Sequence, residues 1–323
     1  PKKISPSFQF SVCWAAMTLA VEIASATVAG VVTVMLSAMV ERLGPVIGGV
    51  LGCVPHVAVV GSIGFLLQTA SSDEFRIAML SMPLGMLCNG FLFLGVRLAS
   101  FLPICEGKTP TGRLTLCLAC GAVCYAAGLI AIIMGLRPKE RSMQIAWLAA
   151  VAAFVLEFLV GLVLMYLTPS SSHATKQHSS CKVLMARGVP PFCVVFLAMV
   201  LARSSPALAG IVANLPMVSG MAIIILWMGQ GEEVAIGSMG PMAIGLLSPA
   251  AYSMISSELM LLWHPALGCV VSWFLSLAVI TKPSLMILQR LDQKHKEHNT
   301  VEYDSAKARS ETEVSSEGSS NSC

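Results

Sequence analysis

Long apolar runs separated by short polar loops set the pattern of this chain. Residues 9–40 form one such run, ending at Glu41 and Arg42. Further runs cover about 45–68, 77–99, 114–136 and 144–167. A second series covers about 189–202, 206–228, 234–256 and 259–280. Several of them exceed the roughly 18 apolar residues that mark a membrane-crossing helix. The loops are brief and polar, as in Ser71 to Glu74 and in Gln230 to Glu233. Residues 168–183 are Ser, His, Thr and Lys without apolar periodicity, which predicts a linker. Residues 290–323 are charged and Ser-rich, a composition too polar to bury a core and expected to be disordered.

One stretch occurs twice. Residues 44–57, with Pro45, Gly49, Pro55 and Val57, align without gaps on residues 205–218, with Pro206, Gly210, Pro216 and Val218. Arg42 falls on Arg203, and Gly48 and Gly52 fall on Ala209 and Ala213. Small residues four apart let helices approach closely. Pro55 and Pro216 each interrupt a helix-like run, removing one backbone hydrogen bond and crowding the preceding turn. In lipid such a break is tolerated where it is buried in protein or faces a cavity. Pro241 also matches Pro83 when the first half's loop is taken as three residues longer. The bland explanation is that Gly, Ala and Pro are common in membrane helices. Order, spacing and the flanking Arg together favour duplication.

The expected fold is therefore all-α: a polytopic transmembrane helix bundle of about nine spans, with eight or ten as alternatives. Residues 1–167 are read as the first repeat, 168–183 as a polar linker, 184–281 as the second repeat and 282–323 as a tail. With nine spans the two repeated segments run in opposite directions, which makes the halves inverted repeats. A miscount by one between them makes the halves parallel. The basic loops disagree on orientation. Arg137, Lys139 and Arg141 share a side with Lys2 and Lys3, whereas Lys282, Arg290, Lys294 and Lys296 fall opposite. A ten-span count puts both groups together.

Composition strengthens the membrane reading. The 323 residues are 56% hydrophobic and 11% charged, against about 25% charged in a soluble domain. The formal net charge of +3 adds little, because most charge lies in loops and tail. No separate signal peptide is read, since the first apolar run is far longer than an h-region. The 11 Cys lie mostly in apolar runs, where Cys acts as a small hydrophobe. Cys117 and Cys120 have no second pair or nearby His, so helix packing is favoured over a metal or redox site. No metal or other cofactor is expected. No phosphate-binding P-loop, H-E-x-x-H box or G-x-S-x-G elbow is present, and the chain is not expected to be an enzyme.

Ionisable groups inside spans are functional candidates by default, since a charge at mid-bilayer costs at least about 2.5 kcal/mol. Three stand out: Glu22 in the first run, His56 just after Pro55, and Glu157 in the middle of the fifth span. A carboxyl that changes protonation when water enters is what a proton-coupled carrier needs. His56 offers the same chemistry with less perturbation. The bland alternatives are an interfacial Glu22, a Glu157 hydrogen-bonded to a neighbouring helix, and a satisfied core imidazole at His56, whose repeat partner Met217 cannot titrate. Neutral polar residues gather near the breaks: Asn89, Asn214, Ser219 and Ser62. With Pro55 and Pro216 they complete the candidate substrate and coupling set. Glu258 and His264 are read as interfacial.

The run from Arg203 through Pro206, Gly210 and Pro216, then Gln230, Gly231, Gly245, Pro249 and Tyr252, resembles the GlpM-like small inner-membrane proteins. The likeness covers roughly residues 190–280 and, more weakly, 30–100. That resemblance implies units of about four spans and names no substrate. The first half departs from it at His56. Two related halves of four or five spans are also similar in architecture to the drug/metabolite transporter superfamily, an analogy of fold alone.

The expected function is secondary transport of a small metabolite, with proton coupling. The alternative is a membrane scaffold or assembly factor whose charged tail recruits soluble proteins. Expected partners are the lipid bilayer, a small-molecule substrate, a second copy in a homodimer and a soluble partner for the tail; nucleic acid is not expected. The expected location is an integral, multi-pass one.

Overall fold

The computed structural model describes residues 19–35, 54–103, 108–135, 142–167, 185–287 and 289–290. Residues 44–53 of the first repeated stretch, the linker at 168–183 and the tail from 291 onward lie outside them. Every element among the described residues is helical. In chain order these are α1 (Leu19–Met35), α2 (His56–Gln68), α3 (Ser72–Ser100), α4 (Pro110–Gly135) and α5 (Met143–Leu167). Then follow α6 (Val189–Ala202), α7 (Pro206–Val212), α8 (Met217–Gln230), α9 (Glu232–Gly245), α10 (Leu247–Leu262) and α11 (Pro265–Ser276). The last continues through a π-helical turn, Leu277–Thr281, as one apolar run to Ile287. Residues 1–284 and 285–323 form separate compact units.

Among the described residues, five helical stretches are long and apolar enough to cross a membrane: Ser72–Ser100, Pro110–Gly135, Met143–Leu167, Glu232–Leu262 and Pro265–Ile287. This is a multi-pass membrane protein by that measure. Four shorter apolar helices accompany them: Leu19–Met35, His56–Gln68, Val189–Ala202 and Ser219–Gln230. The five differ in placement. The most apolar windows of α3 and of α9–α10 are 83% and 89% buried, so these two form the centre. Those of α4, α5 and the α11 run are 17%, 28% and 22% buried, so they form the perimeter. Their exposed Leu, Val, Ile and Phe side chains suit contact with lipid tails.

Local chemistry explains the boundaries. Ser71 caps α3 by accepting from the Glu74 N–H at 3.2 Å, and Glu74 Oε2 accepts from the Ala70 N–H at 2.9 Å. This is close to a capping box, with Asp73 and Glu74 favourable at the positive helix start. Thr109 caps α4 ahead of Pro110, and Ser142 caps α5. Pro206 and Pro265 start α7 and α11 where no N–H is needed. Gly231 has φ +98, so the tight turn from α8 into α9 requires glycine. Pro249 lacks the N–H that the Gly245 carbonyl needs, which accounts for the interruption between α9 and α10.

The boundary between the last two long helices differs from the sequence reading. The helix continues through Glu258 to Leu262, and the turn falls at Trp263 and His264. Glu258 lies one turn before the end of α10, where it accepts from Arg76 Nη2 on α3 at 2.9 Å. Likewise α11 remains helical past 282 to Ile287, beyond where composition places the start of the tail.

Candidate functional site

The second repeated stretch is a broken helix. It enters as α7, turns over residues 213–216 and leaves as α8. Pro216 has φ −72 and ψ 22, outside the helical region, and α8 starts immediately after it. Pro55 has φ −74 and ψ 40, and α2 starts immediately after it. The first backbone bond of each helix is also equivalent: Val59 N–H donates to Pro55 O at 2.9 Å, and Gly220 N–H to Pro216 O at 2.7 Å. The two prolines thus do the same job, each ending a turn and starting a helix.

A break leaves carbonyls without helical donors, and buried ones must be satisfied elsewhere. Asn89 on α3 does this for the second break. Its Nδ2 donates to the Asn214 carbonyl at 2.7 Å, and its Oδ1 accepts from Ser219 Oγ at 3.1 Å. Asn214 returns the contact: its Nδ2 donates to Gly210 O at 3.0 Å and to Met82 O at 3.3 Å. Met82 precedes Pro83, so the proline-containing turn of α3 faces the break between α7 and α8. The approach is very close. A Cβ on Gly85 would lie 2.7 Å from Ile211 O, and one on Gly210 would strike Ala78 O. Asn89, Asn214 and Ser219, chosen from the sequence as neutral polar groups near the breaks, therefore form one hydrogen-bonded cluster.

Glu157 on α5 reaches the same level of α3. It is fully buried, and neither carboxyl oxygen has a hydrogen-bond partner. Its carboxyl lies on Gly90, the residue after Asn89. A Cβ at Gly90 would collide with Oε2 and come within 3.0 Å of both Cδ and Oε1. The Cys88 thiol is within electrostatic reach of Glu157, and the Tyr125 phenol, whose hydroxyl is also unpartnered, is within reach of Cys88.

The other two ionisable candidates lie apart from this cluster. Glu22 is buried and pairs with Arg203 Nη2, while Arg203 Nε donates to Gln68 Oε1 at 2.8 Å. One guanidinium therefore joins α1, the last residue of α2 and the turn before α7. The end of α2 meets the start of α7, so α2 runs toward the end of the bundle from which α7 departs. His56 Nδ1 is 2.7 Å from Val54 O. A carbonyl only accepts, so Nδ1 carries the proton. His56 Nε2 is 3.1 Å from Thr33 Oγ1, and that hydroxyl also lies 2.8 Å from Ala29 O. The imidazole thus holds the turn at Val54 and Pro55 that starts α2 and ties α2 to α1.

Sequence reasoning did not single out three of these residues. In the sequence Arg203 stands out only as a flank of the repeated stretch, and Thr33 does not stand out at all. Gly90 carries a faint signal, a glycine within a helix beside a polar residue. Ser62, by contrast, was noticed; its Oγ meets the buried Tyr252 hydroxyl at 2.7 Å, and that hydroxyl meets Cys269 Sγ at 3.2 Å. Compared with protein-family models, curated proteins and solved structures, the chain matches none of them.

Proposed function

We propose that this protein is a secondary carrier of a small metabolite, built from two halves of opposite orientation. The five long and four shorter apolar helices supply nine crossings in this reading. Each half contributes four, in the manner of a GlpM-like unit, and α5 is the odd helix between them. An extra crossing between two four-span units is what turns the second upside down. Equivalent proline geometry at Pro55 and Pro216, and the meeting of Gln68 with Arg203, support that arrangement.

The observation that carries the reading is the Asn89–Asn214–Ser219 cluster at a buried helix break. Discontinuous helices near the membrane midplane expose backbone groups that can bind substrate, and alternating access rocks one half against the other around them. Among the described residues, three ion pairs join the halves across the bundle ends: Glu22–Arg203 and Arg76–Glu258 at one, Arg113–Glu232 at the other. Such pairs can close each end in turn.

The test is uptake of a panel of labelled amino acids, organic acids, sugars and amines into proteoliposomes holding the full chain. A carrier takes up at least one class, and both Asn89→Ala and Pro216→Ala remove that uptake while the protein remains folded and monodisperse. Absence of uptake for every class, together with loss of cellular function on deleting the tail after Leu291, points instead to a scaffold.

A further inference from the structure

We propose that Glu157 is the coupling site of this carrier and that the ion it binds is a proton, not a metal cation. The inference rests on the carrier reading for its role in coupling, but the binding site stands on geometry of its own.

A carboxylate removed from water needs a compensating charge or hydrogen bonds. Glu157 has neither, with both oxygens buried and unpartnered. No described cation stands near it. The charged residues of α3 are Asp73, Glu74 and Arg76 in its first turns and Arg97 in its last. Arg113 is in the first turn of α4 and pairs with Glu232, which with Glu233 begins α9. Glu258 on α10 pairs with Arg76, and α7 has no ionisable residue. On α10, the Tyr252 hydroxyl is engaged with Ser62 and Cys269. The titratable neighbours left are the Cys88 thiol and, beyond it, the Tyr125 phenol. Neither supplies positive charge. The missing charge must come from a ligand.

The surroundings select the ligand. Hard metal cations take six or more oxygens. Here the carboxyl packs directly on the Gly90 backbone, so that even a methyl group does not fit between them. No group of three or more His, Cys, Asp or Glu side chains that could hold a metal occurs among the described residues. A proton needs only the carboxyl itself. It is taken from water on one side and released to water on the other, and Glu157 returns to its starting state.

The same contact explains how binding is felt by the broken helix. Asn89 and Gly90 are consecutive, one holding the α7–α8 break and the other cradling the carboxyl. A carboxylic acid that loses its proton becomes a carboxylate, which must leave the dry Gly90 surface for water. That movement alters the α3–α5 contact at the turn of α3 that positions Asn89.

Infrared spectroscopy of the full chain in lipid vesicles tests this without a substrate. At neutral pH the wild type should show the C=O stretch of a protonated carboxyl. That band should be absent in Glu157→Gln and unchanged when sodium replaces choline in the buffer. Gly90→Ala provides a second assignment: the band should persist but shift in frequency, because the methyl displaces Oε2. Absence of a protonated-carboxyl band at neutral pH, or its loss on adding sodium, overturns the proposal. A band without uptake of any labelled metabolite leaves the proton site standing and removes the carrier reading.

Discussion

Asn89 Nδ2 donates to the Asn214 carbonyl at 2.7 Å, closing with one side chain the gap that Pro216 opens in the second broken helix. The two residues are 125 positions apart, and the bond is buried. It converts a backbone defect into a defined structure. A polar carbonyl on non-helical backbone is then held in the interior by a neutral partner. The carrier reading follows from this relationship more than from any single ionisable group.

Asn89→Ala should destabilise the protein by about 1–2 kcal/mol. Interhelical hydrogen bonds in membranes are worth about 1 kcal/mol, and the orphaned Asn214 carbonyl adds to the loss. Asn89→Asp should not restore stability, because it removes the donor that serves that carbonyl. Reversible unfolding in mixed micelles measures both.

Gly210 and Gly220 make an internal comparison. A Cβ at Gly210 would strike the Ala78 carbonyl and lie 3.0 Å from Ser81 Cβ. Backbone cannot yield as a flexible side chain can, so Gly210→Ala should cost about 2–3 kcal/mol by forcing α3 and α7 apart. At Gly220 nothing lies within 4 Å of the added carbon, and Gly220→Ala should change stability by less than about 0.5 kcal/mol. Equal melting temperatures for the two variants would contradict the close α3–α7 crossing.

Glu22 and Arg203 should behave non-additively. The Glu22 side chain is 3% exposed and Arg203 45% exposed. Removing Arg203 strands a buried carboxylate, which costs about 3–5 kcal/mol for fully buried pairs. Water reaching the arginine side lowers the expectation to about 2 kcal/mol. Arg203→Ala should therefore be worse than Glu22→Gln, and the double variant Glu22→Gln/Arg203→Ala should recover most of the loss. A double-mutant cycle on thermal stability reads this coupling directly.

Much of the helical layout was legible in the chain. Apolar runs gave α6 its observed limits and α4 and α5 theirs within a few residues, because membrane helices leave an uninterrupted hydrophobic record. The break at Pro216 was legible too, since proline cannot complete a helix interior. The end of α10 falls later than composition places it: the helix runs on through Glu258, paired with Arg76, to Leu262. The same limit applied to the site. Spacing along one helix shows which residues share a face, but not which faces meet. Nothing local to Asn89 announces Asn214 or Ser219, and nothing local to Glu157 announces Gly90. His56 attracted notice as a titratable group beside a break, whereas its ring is engaged by Val54 and Thr33.

The most direct measurement is the orientation of the two loops that follow the broken segments. On a cysteine-free background, single cysteines replace Ser72 and Glu232, and an impermeant thiol reagent is applied from each side of the membrane. Opposed halves require that the two positions label from opposite sides. Labelling of both from the same side would contradict the inverted arrangement and with it the alternating-access carrier proposed for this chain.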